Sequence, residues 1–113
     1  MAEQTAPGIY LIIEFDWPSS MNPEFLQKAK DLHQMVQNQT WIQEVVAASG
    51  GLGMGPSSIW IFRLENYAAL DRLLRDRSDE TSQTYVGFFS RMANVRDKIR
   101  EEIHFMPPSS EQA

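Results

Sequence analysis

Four glycines crowd the middle of this sequence, in Gly50-Gly51-Leu52-Gly53-Met54-Gly55, and Pro56 follows them directly. Neither a helix nor a strand runs through such a segment, because glycine gives up the most backbone freedom on ordering and proline has no N–H to donate. The chain is therefore cut into two halves at a flexible joint. After the joint, Ser58 to Glu65 reads as a strand, and Asn66 ends it and caps a helix, its amide oxygen accepting from the free N–H groups of the first turn. A strand, helix, strand run precedes the glycines and a second run begins after them. Phosphate-cradling loops need a helix behind their glycines and, in the Walker pattern, a lysine after the last one. Here a strand follows and Pro56 holds the lysine position, so the segment reads as a β-hairpin connection and not as a nucleotide site.

In the first half, Ile9 to Trp17 is rich in β-branched and aromatic residues. Strand alternation puts Ile9, Leu11, Ile13, Phe15 and Trp17 on one apolar face and Tyr10, Ile12, Glu14 and Asp16 on the other. Asn22 and Pro23 have the form of an N-cap and first helical residue, and Phe25, Leu26, Ala29, Leu32, Met35 and Val36 recur at helical spacing to about Gln37. His33 flanks that stripe. Histidine is the side chain whose ordinary titration falls near neutrality, so it is the proton-handling candidate, although a helix-edge histidine bonded to water or backbone would look the same. Trp41 to Ser49 reads as a second strand whose faces the alternation does not assign.

In the second half, the third strand sets Trp60, Phe62 and Leu64 against Ile59, Ile61, Arg63 and Glu65, and places Arg63 within reach of Glu14 if the first and third strands are neighbours. A short helix then carries Tyr67, Leu70, Leu73 and Leu74 inward. A longer one, capped by Ser78 or Asp79, is expected to carry the stripe Tyr85, Phe88, Phe89, Met92, Val95 and Ile99, with Gly87 inside it as a bend or a close contact. Glu102 to Met106 is expected to be the last strand, with Ile103 and Phe105 inward and His104 outward, ended by Pro107 and Pro108.

At 113 residues the chain supports one core, expected over residues 8–106 between flexible tails at 1–7 and 107–113. A net charge of -5 argues against a nucleic-acid partner. Arg72, Arg75 and Arg77 form no basic patch, because Asp71, Asp76 and Asp79 interleave with them. With no cysteine there is no disulfide, thiolate nucleophile or cysteine-held metal. Met1 to Pro7 lacks the basic-then-apolar form of a signal peptide, no apolar run suits a bilayer, and a cytoplasmic protein without a membrane partner is expected. His33 and His104 are distant and share no carboxylate at ligand spacing, so neither metal nor other cofactor is expected.

The element order permits a four-stranded antiparallel sheet with helices on one face, an α+β ferredoxin-like βαββαβ fold. Its other face would expose Tyr10, Ile12, Ile59, Ile61 and Met106 together, an apolar patch that a second copy placed sheet to sheet would bury. Glu14, Arg63 and His104 would supply polar specificity in that homodimer.

This order, with Trp60-Ile-Phe-Arg-Leu-Glu-Asn-Tyr running from strand into helix, resembles the dimeric α+β barrel superfamily, above all its NIPSNAP-like and antibiotic-biosynthesis-monooxygenase-like branches. The resemblance spans about Gly8 to Met106. It implies a pocket between sheet and helices, used in that superfamily by cofactor-independent oxygenases, haem-degrading enzymes, isomerases and proteins without known activity. Trp60 matches the strand-three tryptophan of the oxygenase-like and haem-degrading members. The latter also use a strand-one asparagine and a histidine on the second helical segment, where this chain has Glu14 or Asp16 and no histidine between Asn66 and Ile103. Two functions follow. One is a binding protein, or a cofactor-independent monooxygenase-like or isomerase-like enzyme, for a small apolar or aromatic molecule held by Phe15, Trp60, Tyr67 and Tyr85, with His33 and Asp16 as catalytic candidates. The other is a non-catalytic dimerisation module whose aromatic side chains only fill the core.

Overall fold

A computed structural model describes residues 7–19 and 22–105. Strand β1 (Ile9–Asp16) alternates strictly between buried and half-buried residues, as its sequence alternation requires. Helix α1 (Pro23–Gln37) starts where Asn22 accepts a hydrogen bond from the Glu24 N–H at 2.8 Å and Pro23 fills the first turn. Strands β2 (Ile42–Ser49) and β3 (Ser58–Leu64) form a hairpin around the glycine loop, in which Gly50, Gly51, Gly53 and Gly55 all take positive φ. Helix α2 (Tyr67–Arg75) is capped by Asn66, whose Oδ1 accepts from the Ala69 N–H at 2.9 Å, and α3 (Glu80–Phe89) by Asp79. Strand β4 (Ala93–Glu101) completes an antiparallel sheet of order β2-β3-β1-β4, the ferredoxin-like βαββαβ fold.

The core lies between the sheet and the helices. Leu11, Ile13, Phe15, Trp60, Phe62 and Leu64 rise from β1 and β3 to meet Leu32, Val36, Leu70, Leu73, Phe88 and Phe89 from the helices. Gly87 sits mid-helix in α3, and a Cβ built there meets no atom within 4 Å. The glycine costs the helix about 0.5–1 kcal/mol relative to alanine, and no neighbour requires it.

Three expectations are corrected. The helix predicted to run from Asp79 through Ile99 stops at Phe89, and residues 93–101 are strand β4. Val95 and Ile99, four apart, satisfy a helical stripe and a strand face equally. Tertiary context decides: the free edge of β1 takes β4 as its hydrogen-bonding partner, entered through Asn94 at φ 54. The strand expected at 102–106 is consequently a coil as far as it is described, in which Ile103 and Phe105 are exposed instead of inward. Met106 and the tails at 1–7 and 107–113, Pro7 apart, lie outside the described residues. Finally, Glu14 and Arg63 are not neighbours, since the register sets Tyr10 against Arg63 and Ile59 against Glu14. Glu14 pairs with Lys98 of β4 at 3.4 Å.

The faces of β2 also become readable. A register shift between Ile42 and Glu44 lets Ile42, Val45 and Ala47 lie opposite the core-facing Leu64, Phe62 and Trp60.

Two carboxylates tie the sheet to its connections. Glu102 accepts from the Gly8 N–H at 2.9 Å and from Arg63 at 2.5 Å, and these bonds hold its carboxyl down to about 2. Asp16 accepts from the Ser57 N–H at 2.9 Å and the Asn94 amide at 2.9 Å, which hold its carboxyl below the ordinary range. Both groups bind protons less readily folded than unfolded, so their contribution to stability is present above the unfolded value and lost on acidification. For Glu102 that window runs from its ordinary 4.5 down to about 2. Thermal melts between pH 6 and pH 2 (roughly the range this linkage spans) are expected to fall steeply through this window, and Glu102→Gln to flatten that fall. An equal fall in the variant would show that Glu102 contributes none of it.

Candidate functional site

His33 on α1 and Trp60 on β3 are brought ring to ring, with centroids 5.6 Å apart and planes at 76°. Trp60, 4% exposed, stands 5.8 Å from Phe88 and 5.5 Å from Phe89. Phe15 meets Phe89 at 5.3 Å, and Tyr85 meets Phe89 at 4.9 Å. Of the expected pocket residues, Phe15, Trp60 and Tyr85 thus belong to one cluster, at ring separations typical of packed aromatic pairs. Tyr67 does not join them. It is 52% exposed at the start of α2, and its hydroxyl donates to Glu101 at 2.6 Å. The buried Tyr85 hydroxyl has no partner among the described residues, and burial, followed by the nearby charge of Asp97, pushes its ionisation up. Burial also raises the Asp97 carboxyl.

Open space lies at the margin of this cluster. A cleft of about 360 Å³ runs between α1 and the β2–β3 hairpin, walled by Trp17, Leu26, Ala29 and Ala47, with Trp60 and Ser58 also lining it. Its volume falls within the range of small-molecule pockets, and its lining is mostly apolar. Short side chains on β2, Ala47, Ala48 and Ser49, leave this room beside the large Trp17 and Trp60. Sequence reasoning found Trp60 but missed Ala29 and Ala47, and the run of small residues in a strand beside a tryptophan-bearing one was the available signal. His33 packs against Trp60 but does not itself line the cleft.

The remaining candidates lie elsewhere. Asp16 is engaged by Ser57 and Asn94 at the end of β1. Tyr10, Ile12, Glu14, Ile59, Ile61 and Arg63 share the sheet face that the helices do not cover, all half-buried by one another. Arg63 contacts Gln43, Tyr10 and Glu102, and its guanidinium lies so close to Gly8 that a Cβ there would come within 2.7 Å of it. His104, in the coil after β4, stands 3.5 Å from Glu102. The arginines of the helical pair are also engaged: Arg72 pairs with Asp79 at 2.6 Å and lies over the Trp41 ring at 4.2 Å, and Arg75 meets Asp71 at 3.3 Å. No helix among the described residues is long and apolar enough to cross a membrane.

The fold and cleft together define a small ferredoxin-like α+β protein with one bare sheet face and an apolar recess on the helical side. No known family profile and no curated protein matches the chain. Solved structures do. The chain is similar to a dimeric ferredoxin-like protein of unknown function from Thermobifida fusca, at 14% identity over 85% of this chain and 92% of that one, TM-score 0.64. It is similar to a NIPSNAP family protein of unknown function from Agrobacterium tumefaciens, at 15% identity over 95% and 98%, TM-score 0.61. It is similar also to SnoaB, a cofactor-independent oxygenase from Streptomyces nogalater, at 10% identity over 88% and 97%, TM-score 0.61. At such identities the shared property is the fold, which agrees with the NIPSNAP-like and monooxygenase-like resemblance of the sequence.

Proposed function

We propose that this chain is a homodimeric binding protein for a small apolar or aromatic molecule, held in the cleft between α1 and the β2–β3 hairpin. The observation that carries the reading is the cleft itself, an open recess lined by Trp17, Leu26, Ala29, Ala47 and Trp60. A neutral aromatic ligand there removes apolar surface from water at about 25 cal/mol per Å² and meets ring faces and edges on Trp17 and Trp60. Pairing of two copies through the bare sheet face leaves this cleft free, because sheet face and helices lie on opposite sides. The dimeric Thermobifida protein of the same fold supports a homodimer. The lack of cysteine suits a reducing, cytoplasmic setting.

His33, packed on Trp60, is the proton-handling candidate if a bound molecule is also turned over, as in cofactor-independent oxygenation or isomerisation. Asp16 is the weaker candidate, since its hydrogen bonds from Ser57 and Asn94 favour the carboxylate and make it a poorer base.

Titration with 1-naphthol, followed by tryptophan fluorescence, tests the binding. Saturable quenching is expected, weakened at least tenfold, or about 1.4 kcal/mol, by Ala47→Ile, which fills the cleft from a strand position without disturbing the core. An absence of saturable binding, or equal affinity in Ala47→Ile, would remove the cleft reading. Product analysis of the same mixtures in air, with His33→Ala as comparison, separates binding from turnover.

A further inference from the structure

A second cleft, of about 420 Å³, lies on the other side of α1 and is unlike the first. Lys28 and Asp31 of α1 form one wall, and Thr84, Gly87, Phe88, Ser90 and Arg91 form the other. Neither Lys28 nor Arg91 is held in an ion pair or a side-chain hydrogen bond among the described residues, in contrast to Arg63, Arg72 and Arg75. On a chain of net charge -5, two uncommitted cations facing one recess are a local reversal of sign. The polar remainder of the lining accepts. The Thr84 hydroxyl already donates to the Glu80 carbonyl at 2.8 Å, and the Ser90 hydroxyl to the Gly87 carbonyl at 3.1 Å, so each turns only lone pairs outward. Asp31 accepts from the Gln27 side-chain amide at 2.9 Å.

Gly87 gives the recess its depth. Its backbone is ordinary helix, a Cβ there meets nothing within 4 Å, and so neither strain nor packing explains a glycine at a position where helix propensity disfavours it. What the missing side chain does is leave open space in the recess that Lys28 and Arg91 also line, beside the small exposed margin of the core residue Phe88.

We propose that the α1–α3 cleft binds a small aromatic carboxylate that also carries a hydroxyl donor. Lys28 and Arg91 take the carboxylate, the flat ring lies over the bare helix backbone at Gly87, and the hydroxyl donates to Asp31, Thr84 or Ser90. This site is separate from the apolar cleft and stands whether or not that cleft is occupied.

The test uses 4-hydroxybenzoate as the probe, with binding read by calorimetry or ligand-observed NMR on the full chain. Saturable binding is expected, weakened at least fivefold by high salt and at least tenfold by Lys28→Gln or Arg91→Gln, because an exposed carboxylate–cation contact is screened. Benzoate and phenol, each lacking one of the two groups, are expected to bind at least fivefold more weakly. Gly87→Leu is expected to abolish binding while raising the melting temperature, which separates a filled site from a damaged fold. Failure of the wild-type chain to bind 4-hydroxybenzoate, or undiminished binding by Gly87→Leu, overturns the proposal. So does loss of binding in Ala47→Ile with retention in Lys28→Gln, which would assign the probe to the apolar cleft.

Discussion

Phe15→Ala is expected to lower the unfolding free energy by about 3–5 kcal/mol, the range for emptying an aromatic position in a packed core. The side chain is 0% exposed. It projects from the central part of the sheet, and its ring stands edge-on to Trp17 at 5.6 Å, Phe89 at 5.3 Å and Phe88 at 6.4 Å. Truncation therefore removes the apolar contact area of Phe15 and leaves two elements, β1 and α3, facing a void that a packed sheet cannot close. A domain of this size has roughly 5–15 kcal/mol in total, so the loss is a large part of its stability. Urea unfolding followed by circular dichroism measures it, with Phe15→Leu, expected to lose about 1–1.5 kcal/mol, as the milder variant should alanine prevent folding. The half-exposed Leu26 provides the contrast, where alanine is expected to cost less than about 1 kcal/mol. A loss under about 1 kcal/mol for Phe15→Ala would mean that this cluster is not the core.

Ile61→Asp is expected to convert the proposed homodimer to a folded monomer. Ile61 lies opposite Ile12 on the uncovered sheet face, beside Val46, which is 46% exposed, and a shallow recess of about 250 Å³ lined by Tyr10, Val46, Ile61 and Arg63. Water meets this apolar centre in the isolated chain, and a second copy would remove it. Along β4, Arg96, Lys98 and Arg100 share the same face, while Glu44 is on the far strand, so a two-fold arrangement can set cations against carboxylates at the rim. A carboxylate at position 61 would be buried without a partner once in each subunit. The dissociation constant is expected to rise by at least about a thousandfold, equivalent to about 4 kcal/mol. Sedimentation equilibrium reads the mass and circular dichroism the retained fold. A wild-type chain that sediments as a monomer would end the sheet-to-sheet reading, as would an Ile61→Asp dimer of undiminished affinity.

Much of the architecture is legible in the sequence. The alternation of the first and third strands, each ending one residue short of the expected Trp17 and Glu65, and the caps at Asn22 and Asn66 act over a few residues and appear where they were expected, and of Ser78 and Asp79 it is Asp79 that caps α3. Local interactions of this kind are decided by neighbours in sequence, so sequence reports them. The meeting of His33 with Trp60 was half legible: both were expected at one pocket, and only packing put their rings 5.6 Å apart while leaving His33 outside the lining of the cleft.

By itself, then, the sequence determined the ferredoxin-like order of elements, the apolar face of β1 and β3, and the joint at Gly50–Gly55, because periodicity, capping and backbone freedom are local properties. Tertiary structure alone decided that residues 93–101 are strand, that β2 changes phase between Ile42 and Glu44, and that Arg63 meets Glu102 and not Glu14. It also decided where the two clefts open on either side of α1. The physical reason is the same throughout: a spacing of four serves helix and strand alike, and register, edge pairing and empty volume depend on what distant residues leave unbonded or unfilled.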